Sequence, residues 1–474
     1  MSSRTRLGLG LLGAALFLGL LGDKLLRATP LGLNLFLWVA ALVAALIALG
    51  LWRGSPLVGG RRWMAPTLIV FSALVVWRDS AWLVALDLFA LVVALTLGAL
   101  RTPRPLHRAG LADYAVGLGY AGAAMGGRTV TLMQEDIEWR ELPKGPQARQ
   151  AVAVGRGLML AAPLLFLFGA LFVAADSVFQ GYVSDAVPNP RELTTHVVLV
   201  AAFAWVSAGL LREYLVRPQP VSVDVQSPFR LGETEVAVVL GLLDLLFLAF
   251  VLVQLRYLFG GQALVEARTH LTYAEYARHG FFELVTVAAL VLPLLLLADW
   301  VRRREEGRNE TLFRLLAGAL ILLLFVVMAS ALQRMRLYQR EYGLTELRVY
   351  VTGIMLWLAV VFAWASVTVL RGRRDLFAVG ALVSGFAAIV AVNAVNPDAL
   401  IARTNLHRPN LDVPYLMNLS DDATPTIVKA LPALDPVLRA QLEAQLASRR
   451  RESGDWRSWN LSRRRAQEAL DELP

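Results

Sequence analysis

The chain has 474 residues, 57% of them hydrophobic and only 18% charged, with a mean hydropathy of +0.55, whereas soluble domains run nearer about 45–50% apolar and about 25% charged. It has no cysteine, which excludes disulfide frameworks, thiolate catalysis and cysteine-held zinc or iron–sulfur centres. The net charge is +9, but basic and acidic residues balance from Pro397 to the C-terminus; the excess sits between apolar runs, where it reports membrane orientation rather than nucleic-acid binding.

Runs of about 20 apolar residues match the hydrocarbon thickness of a bilayer. Read this way, the sequence predicts an all-α polytopic transmembrane helix bundle over 1–396, with about eleven spans (range about ten to thirteen). They fall near 7–22, 30–52, 63–77, 81–100, 151–175, 195–215, 235–259, 279–299, 311–332, 349–370 and 375–396. The first run, preceded by Arg4 and Arg6, looks like a signal peptide, but a second run follows at once without a small-residue cleavage site. A retained first helix is therefore expected. The third run is short and is expected to lengthen through Arg78 by snorkelling.

Residues 110–127 are apolar but glycine-rich and carry Asp113. A span there would invert every later loop and turn Arg302-Arg303-Arg304 outward. With 128–149, whose apolar positions alternate with Glu135, Asp136, Arg140 and Lys144, they are expected to form a re-entrant or interfacial segment on the cytoplasmic side. Placing the N-terminus inside puts about twice as many Lys and Arg in the inner as in the outer loops, and an odd number of spans then puts the C-terminus outside.

The tail, 397–474, is expected to be small, helical and extracytoplasmic, docked on the bundle. Asp435-Pro436 is an N-cap followed by proline at the first helical position. Leu438, Leu442 and Leu446 recur at helical spacing, and a second helix is expected through Trp456, Trp459 and Leu470. No internal repeat of the kind found in many transporters is evident.

Ionisable groups inside a bilayer default to functional hypotheses. Asp87 and Asp244 are the two intramembrane carboxylates, read either as a proton or cation relay or as helix-to-helix hydrogen bonds. Five histidines (His107, His196, His270, His279 and His407) are too scattered for a metal pair, and no metal or cofactor is expected.

The outer face is richer. Arg256 and Tyr257 end one span. Thr272 and Glu275 form a capping box that leads through Arg278 to Glu283. Arg334, Arg336, Tyr338, Arg340, Glu341, Tyr342 and Arg348 occupy the next expected outer loop, 333–348. Gly343 suits a left-handed turn, and Thr345 an N-cap. Guanidinium forks suit phosphates and carboxylates, so these residues are candidates for an outward-facing anion site. The competing reading is an aromatic belt with capping and ion pairs.

As a set, the segments LFVAADSVF (171–179), LGETEVAVVLGLLDLLFLAFVLVQLRYLFGG (231–261), TYAEYARHGFFEL (272–284), YQREYGLTELRVY (338–350) and NAVNPDALIARTN (393–405) carry a family likeness. Over roughly residues 60–420 the chain resembles the bacterial membrane family catalogued as domain of unknown function 4173. The resemblance implies a multi-pass protein of the bacterial cytoplasmic (inner) membrane and carries no activity, cofactor or catalytic residue.

The leading expectation is a binding, sensing or envelope-assembly accessory protein. Its partners would be the lipid bilayer, an anionic lipid or lipid-linked ligand and another membrane protein, with no nucleic acid. A transporter or flippase is the alternative. A polyprenyl-phosphate-dependent glycosyltransferase ranks last, because the first outer loop is short and offers only Asp23.

Overall fold

A computed structural model describes residues 1–54, 63–99, 127–141, 190–216, 231–269, 281–302, 311–409, 411–450 and 454–473, with isolated positions at 114, 119 and between 150 and 181. Side chains beyond Gln254 in the 231–269 stretch are not among those described. The described elements are helices, and the fold is an all-α polytopic bundle.

The bundle helices are α1 (Ser3–Leu26), α2 (Leu33–Trp52), α3 (Met64–Trp77), α4 (Ala81–Ala99), α5 (Pro190–Leu215), α6 (Glu233–Thr269), α7 (Phe281–Val301), α8 (Thr311–Tyr342), α9 (Glu346–Thr368) and α10 (Phe377–Val395). Among the described residues nine helices are long and apolar enough to cross a membrane, and α3 is a shorter apolar tenth. The span expected at 151–175 and the segment at 110–127 fall mostly outside the described residues. Large apolar side chains such as Phe89, Leu242, Leu246, Leu315 and Leu322 remain exposed, the pattern of helices whose outer faces meet lipid.

Among the described residues, two large apolar cores lie within the bundle. One gathers α1 to α5 around Leu18, Leu42, Leu68 and Phe71; the other gathers α6 to α9 around Leu240, Leu284, Leu324 and Phe362. In lipid, helices gain most from close backbone approach at small residues. Gly19 and Gly22 of α1 provide it against α5. A Cβ at Gly19 would lie 2.6 Å from the Val200 carbonyl oxygen, and one at Gly22 2.7 Å from the Phe203 ring.

Two helices run past the expected ends of their spans, and one expectation, for Arg78, is corrected. The outer loop at 333–348 is mostly helix: α8 runs to Tyr342, because Leu332, Met335 and Tyr338 prolong its inward face and no glycine or proline stands between Gly318 and Gly343. There the chain turns with φ +77°. Likewise α6 runs to Thr269, ten residues past the expected end of its span. Arg78 does not lengthen α3 by snorkelling. It leaves the helix at φ −116°, ψ 153° and is 7% exposed, held by polar partners on other elements. Thr345 occupies the N-cap position of α9, without a side-chain capping bond.

The segment around 127–141 lies against the starting end of α1 and the finishing end of α5. Asp136 there is 1% exposed and is shared by Arg4 (2.8 Å) and Arg212 (2.5 Å).

After α10 come five short helices: α11 (Pro397–Asn405), α12 (Val413–Asn418), α13 (Thr424–Ala430), α14 (Pro436–Ala447) and α15 (Leu461–Asp471). The Asp435 side chain caps α14 by accepting from the Val437 amide. Leu416, Ile427, Leu442, Leu446 and Leu470 form their core. These helices pack on the end of the bundle where α1, α3, α8 and α10 finish and α2, α4 and α9 begin.

Candidate functional site

The polar groups at that end fall into a junction and a cleft. The junction begins with Arg78-Asp79-Ser80, three polar residues between two apolar runs. Arg78 Nε donates to the Asn393 carbonyl at 2.8 Å, and Nη1 to Asp422 Oδ1 at 3.3 Å. Asp422 Oδ2 accepts from the Asp79 amide at 2.7 Å and the Ser80 amide at 3.1 Å. Ser80 precedes α4, so a carboxylate from the tail satisfies orphan donors at that helix start and meets its positive dipole end.

Asp398, 1% exposed, accepts from Ser420 Oγ at 2.5 Å and from the Ser420 amide at 3.1 Å. Burial raises the Asp398 carboxyl above its ordinary value; the Ser420 bonds pull it down, and the charge of Asp422 adds to the rise.

Other contacts fix the junction from several sides. Asn460 donates to the carbonyls of Val75 and Arg78, both at 2.8 Å, while its oxygen caps α15. Asn405 brackets Leu344 through both amide atoms at 2.9 Å. Arg463 reaches Asp79 at 2.8 Å. Within the bundle, Asp87 accepts from Asn393 Nδ2 at 3.0 Å, joining α4 to α10, and both residues are fully buried. At the same end Asp23 of α1 meets His196 of α5 at 2.5 Å.

The cleft lies between α6, α7 and α8 and has a volume of about 500 Å³. Its walls are apolar, with Leu246, Phe247, Phe250 and Val253 from α6, Leu284 and Val287 from α7, and Val327 from α8. Among the described residues three polar ones join them: Gln254, Glu283 and Arg334. Gln254 is 3% exposed, and neither its amide nitrogen nor its oxygen has a hydrogen-bond partner among the described residues. Each unsatisfied buried polar atom costs about 1–3 kcal/mol, and an amide has capacity for four bonds. An α-helix rises about 1.5 Å per residue, which puts Asp244 about 15 Å deeper on the same helix. Asp244 is half-buried, and neither carboxylate oxygen has a partner among the described residues.

The residues expected to form one anion site divide. Glu283 and Arg334 line the cleft. Arg348 instead stacks its guanidinium 4.1 Å above the Tyr338 ring and donates to the carbonyl of Tyr342 at 3.1 Å, closing the end of α8. Tyr338 and Tyr342 pack on each other at 5.0 Å. Arg336, Arg340 and Glu341 are exposed on α8. The main-chain oxygens of Arg340 and Glu341 accept from Arg408 of the tail. Arg256 and Tyr257 lie on α6 with side chains outside the described set, and Arg278 lies outside the described residues altogether. Sequence reasoning missed Gln254, which carries no charge to mark it, and the Asp398, Ser420 and Asp422 group, whose signal was the polar triplet at 78–80 that it meets.

Apolar helices of this number and length, packed around buried polar pairs, define a multi-pass α-helical membrane protein. Residues 64–430 match the family described as Domain of unknown function (DUF4153), and the chain belongs to that family. This corrects the expected assignment to domain of unknown function 4173. The segments behind it lie inside the matched span, but apolar runs edged by tyrosine and arginine do not discriminate between multi-pass families. No curated protein and no solved structure matches the chain.

Proposed function

We propose that the protein is an envelope-assembly or sensing component that binds an amphiphile, an anionic or lipid-linked molecule, in the cleft between α6, α7 and α8. In this reading it resides in the bacterial inner membrane with the tail outside, so the polar end of the cleft lies near the outer leaflet. The observation that carries the reading is Gln254, a buried amide without a partner among the described residues, set with Glu283 and Arg334 in a mostly apolar wall. Burying such a group without a bond is unfavourable. An amphiphile would satisfy it: an acyl or prenyl chain along Leu246 and Phe250, with its polar head against Gln254 and Arg334. No bond making or breaking is required of the protein.

Lipid extraction and mass spectrometry of the detergent-purified protein test this. The wild type should retain a polar-headed amphiphile, and Gln254→Leu should lose it while remaining folded. A wild type with no retained amphiphile, or a Gln254→Leu variant that retains it equally, overturns the reading.

A second reading, a transporter, is favoured by Asp244, a carboxylate within the same helix that has no partner among the described residues. In that case Asp244→Asn abolishes substrate movement in reconstituted vesicles without reducing amphiphile retention. Unchanged movement would exclude Asp244 as a coupling group.

A further inference from the structure

The opposite end of the bundle, away from the tail, carries a second cavity of about 740 Å³ where α1 begins and α2 ends. Arg4, Arg6 and Arg53 line it, together with Asp136, Leu7 and Trp52. The three arginines are not equivalent. Arg4 is bonded to Asp136, and that carboxylate is already shared with Arg212. Arg6 and Arg53 are exposed and have no carboxylate partner among the described residues. The one acid among the described lining residues is thus neutralised twice over, and two guanidinium groups remain available. Trp52, 60% exposed, is held against α1 by the absence of a side chain at Gly10, where a Cβ would lie 2.7 Å from Cζ3 of the ring. Its indole and Leu7 give the cavity an apolar side.

We propose that this cavity binds a phosphate group through Arg6 and Arg53, with Arg4 assisting. Guanidinium forks match phosphate oxygens in pairs, and an exposed tryptophan at a helix end is suited to the membrane interface. The chemistry is that of a phosphate ester, borne either by the headgroup of an anionic lipid or by a small soluble phosphate compound. The site is independent of the cleft between α6, α7 and α8: it lies at the other end of the bundle and uses none of the same residues.

Native mass spectrometry of the purified full chain tests the lipid source, with dioleoylphosphatidylglycerol and dioleoylphosphatidylcholine as probes. Calorimetry with glycerol 1-phosphate tests the soluble source. The variants are Arg6→Gln/Arg53→Gln and, as a control for loss of a guanidinium elsewhere, Arg371→Gln, an exposed arginine outside this cavity. Thermal unfolding verifies that each variant is folded.

The expected result is selective retention of phosphatidylglycerol by the wild type, reduced about tenfold or more in the double variant and unchanged in Arg371→Gln. Glycerol 1-phosphate binding with the same arginine dependence, and no preference between the lipids, assigns the site to a soluble phosphate. Equal retention of both lipids without glycerol 1-phosphate binding, or equal losses in the double variant and in Arg371→Gln, overturns the proposal.

Discussion

Replacing Asp422 should release the tail from the bundle. Its carboxylate, 4% exposed, takes bonds from two main-chain amides ahead of α4 and from the guanidinium of Arg78. Asp422→Ala leaves those two amides without this acceptor and removes the partner of a buried cation. Arg78 keeps the Asn393 carbonyl and the face of Trp77, 4.2 Å from its guanidinium carbon. Breaking one side of a buried ion pair costs about 3–5 kcal/mol. If that cost falls on docking rather than on the whole fold, the undocked population rises by about two to three and a half powers of ten. Proteolysis follows that population when opening and closing outpace cleavage. Trypsin cleavage at Lys429, on α13, should then accelerate by about a hundredfold or more. Asp422→Asn keeps an acceptor for the amides and should fall between the two. A cleavage rate for Asp422→Ala within about twofold of wild type would refute the junction as the tail's anchor.

Asp398 has its carboxyl raised by burial, so the folded chain holds that proton over a pH range in which the unfolded chain has released it. Stability from this group therefore falls as pH rises from the unfolded to the folded pKa; Asp398→Asn should raise the unfolding temperature more in alkaline than in mildly acidic buffer, and an equal change in both would contradict this. Gly19→Ala should destabilise by about 1–3 kcal/mol through overpacking, because the added Cβ meets the Val200 carbonyl; unchanged thermal unfolding would show that α1 and α5 are free to separate. For the proposed orientation, Ser3→Cys should resist a membrane-impermeant thiol reagent in intact cells while Ser448→Cys reacts, both being exposed positions in a chain with no native cysteine. The reverse pattern would contradict it.

Membrane character and helix positions were legible because a bilayer forces long apolar runs, and such runs need no tertiary information. Helix ends were less so. Tyr338 and Tyr342 suited an interfacial loop by composition, but continuation of α8 depends on Met335 meeting a core that only the fold assembles. Asp87 and Asn393 were both visible as polar residues near apolar spans; that they bond to each other depends on α4 and α10 becoming neighbours. The junction was illegible for the same reason, since the bonds of Asp422 to Arg78, Asp79 and Ser80 join residues more than three hundred positions apart. Gln254 escaped notice because reading by charge does not register a neutral amide.

The most direct test of the amphiphile reading is a density map of the wild-type protein in nanodiscs of native lipid. An elongated density should run along Leu246 and Phe250, with its head within hydrogen-bond distance of Gln254 and beside Arg334. A cleft closed by neighbouring side chains, with the Gln254 amide bonded to protein, would contradict the account.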